Sequence, residues 1–246
     1  MGAKKKRLDV VLTERGLVPS RARAQALILA GKVRLRGEVE TKAGTQVEPD
    51  AAIEIIEADH PWVSRGALKL VAALDAFGIS ADGLDCLDIG ASTGGFTEVL
   101  LERGAERVIA LDVGRGQLDW RLRNDPRVVV MEGINARHLD AVDLPFTAAL
   151  ATVDVSFISL RLIVPALLPH LATGAHLVCL VKPQFEAGRD QVGKGGIARD
   201  EAVRRQVIDE TVGAISDIGF EHIGTLPSPI RGQKGNLEEL AVFRVP

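Results

Sequence analysis

The segment CLDIGASTGGFTEVLLERGA, residues 86–105, combines an apolar strand, a glycine-rich turn and the start of a helix. Glycine has no Cβ, so the turn between Asp88 and Phe96 can bend tightly and bring its backbone close to a ligand at the carboxyl end of the strand. Gly94 and Gly95 are adjacent, which differs from the G-x-G-x-x-G spacing of dinucleotide-binding loops and disfavours NAD(H). The segment therefore predicts a strand–turn–helix unit with a ligand site at the end of its strand.

Strands and helices alternate on both sides of this unit. Helices are predicted at 66–77, 117–123, 160–171 and 200–218. Strands are predicted at 107–113, 128–133, 147–156, 176–182, 219–230 and 237–245. The strand segments are continuously apolar, which is typical of strands buried on both faces of a parallel sheet. The pattern predicts an α/β fold with a doubly wound sheet.

The beginning of the chain predicts a separate, small α+β domain. A short helix ends near Gly16, and a second helix begins at its N-cap Ser20 and ends before Gly31. Short alternating strands follow as KVRLRG, TQV and AIEII. Pro61 restricts the residue before it and stiffens the connection that follows. We predict a small domain at 1–58, a linker at 59–63 and the α/β domain at 64–246.

Composition and charge limit the classes of function. The 246 residues are 46% hydrophobic, as in globular proteins, and no apolar run approaches the ~20 residues of a membrane span. Charged residues interrupt the apolar stretch that a signal peptide needs, so a cytoplasmic protein without a membrane partner is expected. Residues 1–42 contain 11 Lys+Arg against 4 Asp+Glu, whereas the rest contains 19 against 29. A basic head on an acidic body favours contact with an anionic polymer; a merely solubilising terminus is the alternative.

Cysteine and histidine spacing argues against a metal site. Cys86 and Cys179 each lie inside an apolar run, which favours buried thiols over a disulfide or a ligand pair. The five histidines are scattered without the spacing of metal ligands, so no metal is expected.

Polar residues follow the strands after the glycine turn. Asp112 ends the strand RVIALDV, where a carboxylate can accept hydrogen bonds from both hydroxyls of a ribose. Asn135 follows VVVMEG, where its amide can face an adenine edge. Together with the turn they predict a site for an adenosine-type cofactor; a tight turn beside an exposed aspartate is the alternative. The predicted cofactor contacts are Asp88, Gly90, Ser92, Gly94, Gly95, Phe96, Asp112 and Asn135.

Four charged residues lie at positions that are unusual for ordinary solvent-exposed charges. Lys69 lies on the helix before the first strand of the α/β domain, and Asp154 and Lys182 end later strands. Carboxyl ends of parallel strands share one edge, so these two should lie near the glycine turn, and Glu238 joins them if the last strand is antiparallel. As a neutral amine, Lys182 can accept a proton from a hydroxyl, and burial and the like charge of Lys69 favour that neutral form. The two carboxylates favour the charged form, so their expected role is to hold the lysines in place, and the balance between these effects stays open. The alternative is two structural ion pairs.

Several segments resemble known families. KRLDVVLTERGLVPSRARAQALILAGKVRLRG resembles the S4 (alpha-L) RNA-binding domain. HPWVSRGALKL, the glycine segment, DVGRGQLDWRLRNDPRV, DVSFISL and VKPQFE closely resemble the TlyA family, in which this head precedes an FtsJ-like ribose methyltransferase domain. The turn D-x-G-x-x-x-G-G resembles the first motif of methyltransferases that use S-adenosylmethionine (SAM). The resemblance implies a Rossmann-like, mostly parallel seven-stranded sheet whose last strand is antiparallel, with SAM as cofactor.

The resemblance also implies roles for residues. The Lys-Asp-Lys-Glu tetrad of FtsJ-like enzymes would correspond to Lys69, Asp154, Lys182 and Glu238. The substrate implied is the 2′-hydroxyl of a cytidine in ribosomal RNA, with large-subunit RNA as the first candidate and small-subunit RNA as the second. The segment 60–63 reads HPWV, where an arginine often leads in the family. The implied RNA contacts are Arg7, Ser20, Arg21, Arg23, Lys32, Arg34, Arg36 and Arg65.

Three other functions stay open at this point. The chain can be an RNA-binding module whose Rossmann-like half is inactive, a secreted haemolysin, as some relatives are named, or a methyltransferase for small molecules. The intact glycine turn and the four charged residues oppose the first, the absence of a spanning segment opposes the second, and the basic head opposes the third. The glycine-rich loop at 183–199 can order on RNA or simply be mobile. The sequence leaves the oligomeric state open.

Overall fold

The computed structural model describes residues 5–18, 21–29, 31–56, 61–187, 201–232 and 235–245. Contacts divide the chain into two units, Met1–Pro61 and Trp62–Pro246. Within the described ranges, the helices are all too short or too polar to cross a bilayer. The same ranges contain no group of three or more His, Cys, Asp or Glu side chains placed to hold a metal ion.

The first unit packs two helices against short antiparallel strands. Its helices are α1 (Leu8–Glu14) and α2 (Arg21–Leu29), and its strands are β1 (Lys6–Arg7), β2 (Val33–Leu35), β3 (Glu38–Val39), β4 (Gln46–Val47) and β5 (Ile53–Ile55). Strand β1 pairs with β4, and β2 lies between β3 and β5. Apolar residues of both helices and of β2 form one buried core, which includes Leu12, Ile28 and Val33. The predicted N-cap Ser20 lies outside the described residues.

The second unit is built on a seven-stranded sheet. The strands are β6 (Asp85–Ile89), β7 (Arg107–Asp112), β8 (Val128–Glu132), β9 (Ala148–Val153), β10 (Leu171–Val181), β11 (Glu221–Pro227) and β12 (Glu239–Arg244). Their order is β11-β12-β10-β9-β6-β7-β8. Strand β12 runs antiparallel to both of its neighbours, and the pairs from β10 to β8 are all parallel. The predicted mostly parallel sheet with an antiparallel last strand is therefore confirmed.

Helices cover both faces of this sheet. They are α3 (Ala67–Phe77), α4 (Gly95–Glu102), α5 (Trp120–Arg123), α6 (Leu160–Leu167), α7 (Pro183–Glu186) and α8 (Glu201–Asp217). One core contains apolar residues of α3 and α4 and the other contains those of α6 and α8. Both cysteines are buried free thiols in these cores, as predicted, and burial raises the pKa of Cys86 to about 12.

Two helices are shorter than the sequence predicts. Helix α5 begins only at Trp120, because the Asp119 side chain accepts the Arg121 N–H and caps the helix there. Helix α6 ends at Leu167 and continues as a 3-10 turn, Leu168–His170. Pro169 lies in that turn and has no N–H for an α-helical hydrogen bond.

Two residues of the predicted linker at 59–63 pack with the second unit. Trp62 and Val63 are partly buried against the core of the second unit, and the Val63 N–H donates to Glu98 Oε2 at 2.5 Å. Both residues therefore belong structurally to the second unit, whereas Asp59 and His60 lie outside the described residues.

The strand order places a crevice between β6 and β9. The chain leaves β6 toward β7 and β8 and then returns to β9 on the other side, which makes this pair the switch point where open α/β sheets bind ligands. At the carboxyl ends, the Asp154 N–H donates to the Ile89 carbonyl at 2.9 Å and joins the two strand ends. The glycine turn and Asp154 therefore lie side by side at this crevice.

Candidate active site

The glycines of the turn are required by contacts within the protein as well as by backbone conformation. Gly90 has φ of +83°, and a Cβ there would lie 2.3 Å from the carbonyl oxygen of Asp154. Gly94 has φ of +99°, and its Cβ would lie 2.2 Å from Leu122 Cδ1. A side chain at Gly90 would push apart the two strand ends that form the crevice, whereas one at Gly94 would meet the Leu122 side chain and would also strain the backbone.

Asp88, a predicted cofactor contact, is placed behind the turn instead. Its side chain is fully buried and lines neither of the two cavities described below. Its carboxylate accepts hydrogen bonds from Thr97 Oγ1 at 2.7 Å and Thr152 Oγ1 at 2.9 Å. Burial raises the pKa of Asp88 to about 6, although the two hydroxyl donors oppose that shift. Asp88 therefore ties β6 to α4 and β9. Gly94 also lines neither cavity, so its contribution is to the shape of the turn.

The four charged residues singled out in the sequence come together in one cavity. Lys69 Nζ lies 2.6 Å from Glu238 Oε2, and Lys182 Nζ lies 2.5 Å from Asp154 Oδ1. Both lysine side chains are only 9% exposed. The cavity has a volume of about 300 Å³, and its lining also includes Gly90, Ser92, Gly95 and Phe96 of the turn. Each buried lysine is therefore paired with one carboxylate, as buried cations require.

A second cavity adjoins the first along the carboxyl edge of the sheet. It has a volume of about 480 Å³, and Asp112, Asn135 and Ile134 lie in its wall. Both cavities include Gly90, Ser92, Asp154 and Ser156 in their linings. Each volume falls within the range of small-molecule sites, and the two adjoining cavities together are called the groove below.

The side chains of Asp112 and Asn135 accept hydrogen bonds from backbone N–H groups. The Asp112 carboxylate accepts the Ser92 N–H at 2.8 Å and the Gly114 N–H at 2.7 Å. Each carboxylate oxygen has a second lone pair for a ligand hydroxyl. Asn135 Oδ1 accepts the Arg137 N–H at 3.0 Å and caps the 3-10 helix Ala136–Ala141, which leaves the two N–H donors of its amide for a ligand.

Several residues that line the groove were not predicted from the sequence. Ser156 Oγ accepts a hydrogen bond from Lys182 Nζ at 3.0 Å. The rings of Phe157 and Phe185 lie 4.9 Å apart, and Phe157 is 85% exposed with φ of +65°. The other unpredicted lining residues include Ser64, Gln184 and Arg231. DVSFISL and VKPQFE, quoted above for their resemblance, contain four of these side chains, so position after a strand end was the usable signal.

The first unit contains a second cluster of charge, around a buried carboxylate. Asp9 is fully buried and accepts bonds from Arg7 Nε and Nη2, both at 3.0 Å, from Arg21 Nε at 2.9 Å and from Gln25 Nε2 at 2.7 Å. The bond from Arg7, with those from Gln25 and Arg21, holds the pKa of Asp9 well below its usual range. Arg7 and Arg21 are 43% and 55% exposed, so each guanidinium is held from inside and open to solvent outside.

The remaining predicted RNA contacts lie in varied surroundings. Arg36 pairs with Glu48 at 3.1 Å and Arg34 with Glu54 at 3.7 Å, all largely exposed. Lys32 is half-buried. Arg65 belongs to the second unit and lines the cavity that holds the four charged residues. Ser20 and the side chain of Arg23 lie outside the described residues.

The chain matches two families and a curated relative. The FtsJ-like methyltransferase family matches residues 62–244, and the S4 domain family matches residues 6–53. The 16S/23S rRNA (cytidine-2′-O)-methyltransferase TlyA of Mycobacterium tuberculosis (strain CDC 1551 / Oshkosh) is 48% identical over 237 residues, which cover 96% of this chain and 88% of that protein.

Solved structures agree with this fold. A Streptococcus thermophilus protein that carries the hemolysin name is 42% identical, with a TM-score of 0.77 over 99% of this chain and 90% of that chain. The N-methyltransferase NodS from Bradyrhizobium japonicum WM9, solved with S-adenosyl-l-homocysteine, is 19% identical, with a TM-score of 0.52 over 76% of this chain and 89% of that one. That low identity shows a shared fold alone. The predicted fold and enzyme class are confirmed, and the chain belongs to the TlyA family, in which an S4 domain accompanies an FtsJ-like methyltransferase domain.

Proposed function

We propose that the chain transfers a methyl group from SAM to the 2′-hydroxyl of a cytidine in ribosomal RNA. The observation that carries this proposal is the convergence of Lys69, Asp154, Lys182 and Glu238 on one cavity beside the glycine turn. Large-subunit RNA is the first candidate substrate and small-subunit RNA the second. The cytoplasm, where ribosomes are modified, is the proposed location. The division into 1–58, 59–63 and 64–246 stays a prediction.

The groove fits an adenosyl cofactor in chemistry and size. Asp112 offers carboxylate lone pairs to ribose hydroxyls, Asn135 offers amide N–H donors to an adenine edge, and Ile134 gives an apolar wall. The methionine part would extend along Gly90 and Ser92, which line both cavities. When bound, SAM supplies a methyl group activated by a sulfonium charge. Gly95 and Phe96 line the first cavity with the tetrad and close it on the side of α4.

Lys182 is proposed as the group that takes the proton from the target hydroxyl. Its Nζ lies on the cavity wall, 2.5 Å from Asp154 Oδ1. A ribose hydroxyl is a weak acid and a poor nucleophile, so it must lose its proton while held in line for transfer. Asp154 fixes the amine of Lys182. Glu238 fixes Lys69 in the same cavity, with 2.6 Å between Lys69 Nζ and Glu238 Oε2. Lys69 then adds positive charge beside the developing alkoxide.

The first unit is proposed to bind the phosphates of the RNA. Arg7 and Arg21 present charged groups on a surface that Asp9 holds from behind. Lys32, Arg34 and Arg36 lie on or beside β2 and are proposed to extend this contact. Such contacts give affinity that depends on salt but little choice of sequence, so selection of the nucleotide belongs to the second unit.

Methylation of purified ribosomal subunits tests the proposal. The protein, SAM with an isotopically labelled methyl group, and either large or small subunits lacking native modification are incubated, and the RNA is digested to nucleosides for mass spectrometry. We expect labelled 2′-O-methylcytidine from the large subunit. Label on a base would contradict the assignment of the tetrad, and no label with either subunit would favour the inactive RNA-binding module.

A further inference from the structure

Ser156 lies where the two cavities of the groove meet. It is exposed and lines both cavities. Its hydroxyl oxygen accepts a hydrogen bond from Lys182 Nζ at 3.0 Å, beside the 2.5 Å contact between Lys182 Nζ and Asp154 Oδ1. The amine proposed to act as base therefore has two acceptors, a carboxylate and a hydroxyl, and Ser156 is outside the predicted tetrad.

We propose that Ser156 is a positioning residue that sets the rotation of the Lys182 amine and so aims its lone pair at the target hydroxyl. A neutral amine has two N–H groups and one lone pair. With Asp154 and Ser156 each accepting one N–H, the lone pair occupies the one tetrahedral position left. With Asp154 alone, two rotations about the Cε–Nζ bond satisfy the carboxylate, and only one of them aims the lone pair correctly. This inference rests on the proposed role of Lys182.

The backbone just before Ser156 is anchored to the neighbouring strand end. The Asp154 N–H donates to the Ile89 carbonyl at 2.9 Å, and Gly90 packs so closely that a Cβ would meet the Asp154 carbonyl oxygen. Phe157, directly after Ser156, has φ of +65°. A non-glycine residue adopts this conformation only where its surroundings impose it. The hydroxyl therefore lies two residues beyond an anchored strand end and just before a residue of restricted conformation.

A hydroxyl suits this position better than a second carboxylate. Another negative charge beside Lys182 would stabilise the ammonium form and oppose its action as a base. A neutral oxygen accepts the N–H without adding charge. Asp154 therefore holds the lysine in place, and Ser156 settles its rotation.

Substitution of Ser156 tests the inference with the full chain and ribosomal subunits as substrate. Ser156→Ala removes the acceptor, and the net value of one hydrogen bond predicts a fall in kcat of about 3- to 10-fold. Ser156→Thr keeps a hydroxyl and should recover most of the rate. The affinity for SAM, measured by calorimetry, and the KM for RNA should stay as in the wild type. Because orientation and not protonation changes, the deficit of Ser156→Ala should persist at the high-pH end of the rate profile.

A serine outside the groove provides the control. Ser80 Oγ accepts the Asp82 N–H in an exposed turn, and Ser80→Ala should leave kcat unchanged. Wild-type kcat in Ser156→Ala, a deficit that vanishes at high pH, or a loss confined to SAM affinity would each overturn the positioning role. If the wild-type protein transfers no methyl group to RNA, the proposed function fails instead, so the two failures are distinguishable.

Discussion

Each unit contains a fully buried aspartate, and the pKa values of the two carboxylates are shifted in opposite directions. In the first unit Asp9 is surrounded by Arg7, Arg21 and Gln25, and its pKa is held well below its usual range. In the second unit Asp88 accepts bonds from two threonine hydroxyls, and burial raises its pKa to about 6. Neither carboxylate is exposed, but Asp9 lies beneath charged guanidinium groups and Asp88 lies deep in the sheet beside neutral hydroxyls, so the charge of the partners and the depth of burial together set the direction of each pKa shift.

The difference separates two uses of buried charge. Asp9 is an internal anchor for cations that stay 43% and 55% exposed and can meet an anionic polymer. In the second unit the cations themselves are buried: Lys69 and Lys182 are each 9% exposed and face a cavity. Exposed cations contribute affinity, whereas an enclosed amine can exchange a proton with a bound group. Removing these charges is therefore expected to weaken RNA binding in the first unit and to slow methyl transfer in the second.

The largest expected effect is on chemistry in the second unit. Lys182→Ala should lower kcat by about 10²- to 10⁴-fold, the usual contribution of a general base, while RNA affinity stays nearly unchanged. Lys182→Arg keeps the charge but cannot be deprotonated, so it should be almost as inactive. Single-turnover methylation and RNA binding are measured on the same preparations. Arg205→Ala, an exposed residue of α8, is the control for loss of charge; an active Lys182→Arg would show that positive charge alone suffices.

The next effect is the dependence of stability on pH in the second unit. Asp88 has a folded pKa of about 6 against an ordinary 3.8, so between these values the folded protein binds a proton that the unfolded chain does not. Wild-type stability therefore falls as pH rises from 4 to 7, relative to Asp88→Asn, by on the order of 3 kcal/mol. Urea unfolding followed by tryptophan fluorescence measures this, because both tryptophans, Trp62 and Trp120, lie in the second unit.

The exposed Asp140 provides the control for that comparison. Asp140→Asn should have the same pH dependence as the wild type. A parallel pH dependence in wild type and Asp88→Asn would mean that the two threonine hydroxyls offset the cost of burying the charge.

The meeting of three of the four charged residues was predictable from strand topology, whereas Lys69 reaches them from α3. Asp154 and Lys182 follow parallel strands, so their meeting at one edge needs only the strand order, and Glu238 joins once β12 is antiparallel. Asp88 also belongs to the quoted motif, but it lies within β6, in register with Thr152 of β9. The sequence does not show that the Asp88 side chain meets two threonine hydroxyls inside the fold. Asp88 was therefore predicted to contact the cofactor, although its hydrogen bonds join β6 to its neighbours.

Contacts that depend on turns or on distant partners escaped prediction. Ser156 and Lys182, which form a hydrogen bond, are 26 residues apart in the sequence. The following Phe157 has a left-handed backbone conformation, which the sequence does not indicate because such conformations are typical of glycine and asparagine. The bonds from Arg21 and Gln25 to Asp9 likewise join α2 to α1. Sequence periodicity indicates which face of a helix is buried, but it does not say which polar groups meet there.

The head should respond to loss of its internal anchor with weaker RNA binding. Asp9→Asn removes the negative charge that holds Arg7 and Arg21. We expect RNA affinity to fall about 10-fold, which corresponds to the loss of one charge-assisted hydrogen bond. The kcat at saturating RNA should stay unchanged. Fluorescence anisotropy with an rRNA fragment measures the affinity. Glu14→Gln, on the same helix but exposed and paired with Lys6, makes the same change in net charge. Equal effects of both variants would show that net charge, not placement, matters.

The smallest effect should appear in the salt dependence of binding. If Arg21 contacts one phosphate, Arg21→Ala should reduce the slope of log affinity against log salt by about 1, because one fewer counterion is released. Lys69→Ala should leave the slope unchanged, since that cation is buried and paired with Glu238. Arg103→Ala, which removes an exposed cation paired with Asp75 in the second unit, controls for charge on the surface. If the slope falls equally in all three variants, RNA affinity depends on the total charge of the protein. The distinction between exposed cations that bind RNA and enclosed cations that act in catalysis would then be wrong.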